Sequence, residues 1–226
     1  MSSAKDEILD GIRLALNRSG PLDAAAAAKL DARLASPPRH LRPALGRETE
    51  ALFIEKLTKV NGTVERVDSP DAISQAVGRH LARHELGEDL VVAPDPDLAP
   101  VRWSNRYRIE RRAAIGTDRI SVTSAFAGIA ESGSCMLLSG VASPTTLNFL
   151  PDDHIVVLNA NRIVMHMEDA WSMLRTSRPD SASAAGFNMP RTVNLISGPS
   201  KTADVELTMQ EGAHGPRRLH VILIDA

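Results

Sequence analysis

The sequence predicts an α/β domain with a mostly parallel sheet and flanking helices, preceded by an N-terminal helical arm. Three observations carry this prediction. From Glu48 onward, segments of helical periodicity alternate with short apolar runs. Gly, Pro and Asn residues stand at the junctions between them. Before that, two helix-prone segments lead into the Pro- and Arg-rich stretch "SPPRHLRPALG", which reads as a linker. The expected organisation is residues 1–45 as arm and linker, and residues 46–226 as the α/β domain.

In the arm, Ile8, Ile12 and Leu16 recur at helical spacing, Leu9 widens the stripe, and Ser3 is placed to cap the start. Ala24 to Ala28 open a second helix of high intrinsic propensity. In the main domain, "RETEALFIEKLTKVNG" is an amphipathic helix stopped by Asn61-Gly62, and "TVERV" is a short strand. The helix in "SPDAISQAVGRHLARHEL" has Ser69 as cap and Pro70 at its first position. "DLVVAPD" is a buried strand stopped by prolines, and "RISVTSAFAGIAESGSCMLLSG" reads as two strands around a loop of small residues. "DHIVVLNANRIV" reads as strand, turn, strand, and "MEDAWSMLRTS" as a helix. "TVNLISG" and "LHVILID" are strands enclosing a final helix that begins in "SGPSKTAD".

Composition excludes several classes. Lys and Arg total 26 against 28 Asp and Glu, a net charge of -2 that lacks the basic excess of a nucleic-acid binder. No apolar run has the length of a membrane span, and the acidic start "MSSAKDEILDG" is unlike a secretory signal. The single cysteine, Cys135, fits a reducing cytoplasm and rules out an internal disulfide. One thiolate also falls short of the four that usually hold an iron–sulfur cluster, so no cofactor is expected in this chain.

Ligands of open α/β sheets gather beyond the carboxyl ends of the strands, and two Gly/Ser loops fit that position. In "AGIAESGS", Gly128 and Gly133 permit close backbone approach or positive φ, Ser132 and Ser134 flank the second glycine, and Glu131 lies between. A carboxylate there suits a base, a covalent nucleophile or the partner of a cation, and pairing with an arginine accounts for it equally. In "SGPSKTAD", Ser197, Gly198, Ser200, Lys201 and Thr202 surround the expected helix start, whose free N–H groups would hold a phosphate or carboxylate. Helix capping by Ser200 or Thr202 explains the same hydroxyls. The loop is no Walker A motif, because Ser200 and Leu195 replace the required glycines.

Other residues read more plainly. His80 and His84 lie one helical turn apart, as metal ligands would, but Leu81 replaces the glutamate of H-E-x-x-H, and an exposed basic helix face is the expectation. No metal site is assigned. Cys135 is expected as a buried strand residue. The arginines of "RWSNRYRIERR" are expected on a solvated helix face balanced by acids, and Asp152 and Asp153 either orient His154 or form a turn.

Taken together and in order, "SAFAGIAESGS", "LPDDHIVVL", "ISGPSKTADVE" and "GAHGPRRLHVILID", with the opening helix "AKDEILDGIRLAL", resemble the lactate-utilization (LUD) family, and within it the C-type proteins. The sequence departs from the family in "CMLLSGVASPTTLNF", where Thr145 and Asn148 stand in a stretch expected to carry a basic residue. The resemblance implies a fold like the ribose-5-phosphate isomerase, glucosamine-6-phosphate deaminase and CoA-transferase group. It also implies a part in oxidising L-lactate to pyruvate with two partner proteins, at least one of which carries iron–sulfur clusters. CoA-transferases of that group use a glutamate in a small glycine-containing motif as covalent nucleophile, and "AESG" places Glu131 similarly.

Overall fold

The computed structural model describes residues 3–18, 20, 22–35, 42–179, 188–202, 210–212 and 214–225. The chain divides into two compact units, Met1–Pro43 and Ala44–Ala226. The first holds α1 (Ala4–Ala15) and α2 (Ala24–Ala35). Ser3 caps α1 reciprocally: its hydroxyl accepts the Asp6 N–H while the Asp6 carboxylate accepts the Ser3 N–H. The linker read at 36–46 lies largely outside the described residues.

The second unit is built on a six-stranded sheet, among the described residues, of order β1-β12-β7-β4-β2-β3, with every pairing parallel. Its strands are β1 (Thr63–Val67), β2 (Asp89–Val92), β3 (Arg108–Arg111), β4 (Ile120–Ser124), β7 (Asp153–Asn159) and β12 (Arg218–Ile224). α3 (Thr49–Lys59) and α4 (Pro70–Arg83) cover its two faces. The strand period of two sorts the core. Ile73, Val77 and Leu81 of α4 pack against Ile120, Val122, Ile155, Val157 and Ile222. Leu52, Phe53 and Leu57 of α3 pack against Val156, Leu158, Leu219, Val221 and Leu223 on the opposite face. α3 ends where Asn61 turns left-handed at φ +70° and the Gly62 N–H bonds the Leu57 carbonyl.

A second sheet, of order β8-β5-β6-β9, is mostly antiparallel. It comprises β5 (Ala127–Ile129), β6 (Ser134–Leu138), β8 (Ile163–Val164) and β9 (Val193–Ile196). Cys135 and Leu137 join the α3 layer, while Ala127, Ile129 and Met136 pack on Ala170 and Leu174 of α5 (Met167–Ser177). Cys135 is fully buried, and burial pushes its thiol up to about 12. No helix among the described residues is long and apolar enough to cross a membrane.

Several expectations are corrected. The stretch read as the loop "AGIAESGS" opens with a strand, Ala127–Ile129, and the strand before it ends at Ser124: the chain breaks at Ala125–Phe126, whose N–H groups bond Val157 in one sheet and Met136 in the other. The arginine-rich segment is not a helix face. It enters edge strand β3, with Arg108 on Asp89 and Arg112 on both Glu110 and Asp118, while Tyr107 is buried and donates to the Ser74 carbonyl. No helix starts at Ser200–Thr202. Lys201–Thr202 form β10, paired antiparallel with Gln210–Glu211 as β11, and residues 203–209 lie outside the described residues.

His80 is not exposed. It is 1% accessible, its Nε2 lies 3.3 Å from Asp153, and its ring stacks on that of His220 at 4.5 Å. Asp153 does not orient His154. It accepts two bonds from Arg218 instead, at 2.5 and 2.7 Å. Burial raises the Asp153 carboxyl, but the bonds from His80 and Arg218 outweigh it and hold the group below the usual carboxylate range. His154 is buried against the Thr123 hydroxyl at 2.8 Å.

Burial pushes His154 and His220 down to about 3, far below the unfolded value near 6.5. Their contribution to stability is therefore fully present above about pH 6.5 and is lost as pH falls from there toward 3. Each neutral histidine should account for about 2 kcal/mol of stability lost by pH 5. Urea midpoints measured at several pH values check this, and His220→Gln should flatten the curve. An unchanged pH dependence in that variant contradicts the assignment.

Candidate functional site

The hairpin joining β5 and β6 carries Glu131 to the start of α5. One carboxylate oxygen accepts the Met167 N–H at 2.8 Å, and the other lies 2.8 Å from His166 Nδ1, which carries the shared proton. Burial raises the Glu131 carboxyl, but the His166 bond, the Met167 N–H and the His166 charge outweigh it, leaving the group below its ordinary value. Glu131 thus pairs with a histidine and a helix terminus rather than with an arginine. A carboxylate that takes Nδ1 in this way leaves Nε2 as the ring nitrogen not engaged by Glu131. His166 was not among the residues picked out from the sequence. The signal available was its place three residues before Asp169, whose carboxylate accepts the His166 N–H at 3.3 Å.

The structure brings the two Gly/Ser loops together, through the antiparallel sheet and not the parallel one. β6 and β9 pair with Cys135 opposite Ile196, so the end of β9 meets the start of β6. Hydroxyls then run in a chain from Ser132 to Ser134 at 2.6 Å and from Ser134 to Ser197. Gly133, at φ +66°, and Gly198, at φ +89°, both lie against the end of α3. A Cβ on Gly133 would stand 2.5 Å from the Leu57 nitrogen, and one on Gly198 2.8 Å from the Val60 carbonyl oxygen. Gly128 lies in β5, where an added Cβ would meet Leu158, Ile163 and Phe53. It serves core packing and has no positive φ. The Ser200 N–H is taken by the Pro216 carbonyl at 2.8 Å, and the Ser200 carbonyl by the Gly212 N–H, so these groups close the ribbon. Ser200, Lys201 and Thr202 therefore offer no helix terminus of the expected kind.

A separate crevice opens beyond the carboxyl ends of the parallel strands. From β2 the chain moves outward to β3, and from β4 it moves inward to β7, so the sheet reverses direction between β2 and β4. Across that point the Ser124 hydroxyl, at the end of β4, donates to Asp95, just beyond β2, at 2.6 Å. A cleft of about 390 Å³ runs from Pro70 at the start of α4 past Ser124 to Asn159, Arg162 and Asp225. A smaller lobe of about 110 Å³ shares Asp97, Ser124 and Arg162 with it and is floored by Phe126 and Leu138. The larger cleft falls within the ~300–1,000 Å³ typical of small-molecule sites. None of these residues was singled out from the sequence as part of a site. Among the described residues, no group of three or more His, Cys, Asp or Glu is arranged to hold a metal ion.

The family model of the LUD domain matches residues 51–224, which include both loops and all of the crevice but Asp225. The chain belongs to the LUD domain family. The chain is 34% identical over 121 residues to Lactate utilization protein C of Exiguobacterium sp., covering 54% of this chain and 50% of that protein. It is 36% identical over 130 residues to an uncharacterized protein of Neisseria meningitidis, covering 58% and 52%. The chain thus spans about half the length of these two relatives. With YkgG of Escherichia coli, also uncharacterized, it shares 30% identity over 155 residues, covering 62% and 65%. The fold matches the crystal structure of a DUF162 family protein from Deinococcus radiodurans with a TM-score of 0.52 at 18% identity, over 78% of this chain and 96% of that one.

Two outcomes follow from the geometry of this LUD domain. Glu131→Gln should cost about 1 kcal/mol at pH 7 by weakening the start of α5. Because the folded carboxyl lies below its ordinary value, that stabilisation is present above about pH 4.3 and fades as pH falls through the folded value. Urea unfolding of the two proteins should therefore converge in acid. Gly133→Ala should cost more than about 1 kcal/mol, from positive φ and contact with α3 together. A melting temperature equal to wild type would show that α3 yields freely.

Proposed function

We propose that this chain is a non-redox subunit of an L-lactate utilization system that oxidises L-lactate to pyruvate together with iron–sulfur partner proteins. The observation that carries the reading is the similarity to Lactate utilization protein C of Exiguobacterium sp., beside the LUD domain match. Removing two electrons and two protons from lactate needs an electron acceptor. Four thiolates usually hold an iron–sulfur cluster, and this sequence has one cysteine, whose thiol is fully buried. The clusters therefore belong to the partners in this reading, and this chain supplies protein contacts and a site for a small ligand.

Glu131 is better suited to orienting His166 and holding α5 than to covalent attack, since both its oxygens are engaged. An independent acyl- or sugar-phosphate-processing enzyme with Glu131 as nucleophile would first have to break both contacts.

Deleting the gene should abolish or strongly slow growth on L-lactate while leaving growth on glucose unchanged, and a plasmid copy should restore it. Affinity-tagged full-length chain should retain iron-containing proteins from lactate-grown cells. Unimpaired lactate growth in a strain with no second copy and no other lactate dehydrogenase would refute the reading.

A further inference from the structure

The crevice at the β2/β4 reversal holds three carboxylates and a guanidinium, and their partners are unequal. Asp95 accepts the Ser124 hydroxyl at 2.6 Å and the Asp97 N–H at 2.9 Å. Asp225, which also lines the cleft, lies 2.6 Å from Arg66. Asp97 meets Arg162 only at 3.4 Å, a loose contact for an ion pair whose charge-assisted bonds are usually near 2.8 Å. The Arg162 guanidinium lies 6.0 Å over the Phe126 ring, and its side chain is 41% accessible. It stands in the wall shared by both lobes, beside Ser124. A fork of N–H donors with one long contact, set over an aromatic ring at a sheet's reversal point, is suited to a planar carboxylate.

We propose that this crevice binds a small 2-hydroxy or 2-oxo carboxylic acid, with Arg162 holding the carboxylate and Asp97 as an internal counter-ion that the ligand displaces. The 2-hydroxyl of the acid would donate to Ser124 Oγ, whose own proton is committed to Asp95 and whose lone pairs are free to accept. Asn159 Oδ1 accepts the Asn161 N–H at 3.1 Å, which leaves its amide N–H groups to meet a 2-oxo group from the same wall. The choice of this acid class rests on the lactate reading above. The position of the anion rests on Arg162 alone.

The arrangement makes two variants move in opposite directions. Arg162→Gln removes the fork and should weaken L-lactate and pyruvate binding by roughly tenfold or more. Asp97→Asn removes the competing charge without disturbing the short Asp95 contacts and should tighten binding several-fold. Both side chains are about half exposed, so neither change removes core packing. Titration calorimetry on the full chain, with L-lactate, pyruvate and uncharged lactamide as probes, reads the result, and circular dichroism confirms folding. The expected order for lactate is Asp97→Asn tightest, then wild type, then Arg162→Gln, with lactamide binding little to any of them.

Weaker binding in Asp97→Asn, equal binding of lactamide and lactate, or no binding of either acid to folded wild-type chain would each overturn the proposal. The deletion strain, read beside the Arg162→Gln protein, separates this failure from that of the lactate reading. If gene deletion stops lactate growth while the variant protein binds acids normally, the crevice assignment falls and the reading stands. If the variant loses binding while the deletion strain grows normally on lactate, the reading falls and the site stands.

Discussion

A buried carboxylate organises the lower edge of the main sheet. Asp153 is 1% accessible, so its charge has to be answered inside the protein. Arg218 answers it with two N–H donors from the residue directly opposite on the neighbouring strand, which pins β7 and β12 in register from their first residues. A slip of one residue would turn every side chain of a strand to the other face, and here it would also strand a charge. His80 reaches the same carboxylate from α4 and stacks on His220 of β12, so one side chain ties two strands and a covering helix together. The apolar layers on both faces of the sheet depend on that register.

With the register set, the break at Ala125–Phe126 decides where chemistry can collect. β4 ends at Ser124, inside the crevice, and β5 begins at Ala127, in the second sheet. Phe126, between them, floors the smaller lobe beneath Arg162. The crevice and the Glu131 hairpin are therefore built on adjoining stretches of one short segment. Each uses a different sheet, and a shift of β5 would be felt in both.

How much of this could be read in advance depended on whether the signal was local. α1, α4 and α5 carry their periodicity and their starts within a dozen residues, and all three were legible. The strands β7 and β12 each hold four apolar residues in a row, Ile155–Leu158 and Val221–Ile224, and they were legible too. β3 was not, because exposed arginines balanced by acids fit a solvated helix face as well as the edge strand where Arg108 meets Asp89. The β4–β5 break has no Gly or Pro at Ala125–Phe126 to announce it, and the ribbon at Lys201 looks like a capped helix because Ser and Thr favour both turns and caps. The Gly-rich hairpin pointed to Glu131, but its partner His166 lies 35 residues further on, beyond any local pattern. The crevice residues come singly from the ends of different strands, so only the strand order assembles them.

Cys135 has a consequence of a different kind. Its thiol is fully inaccessible and pushed up to about 12, so in the folded protein it is neither exposed nor ionised at neutral pH. It lies between α3 and the second sheet, in contact with the layer that Leu57 and Leu137 share. A thiol-directed reagent can reach it only when that layer parts. The rate of labelling then counts openings of the inner layer, and Cys135 becomes a native timer for breathing of the core.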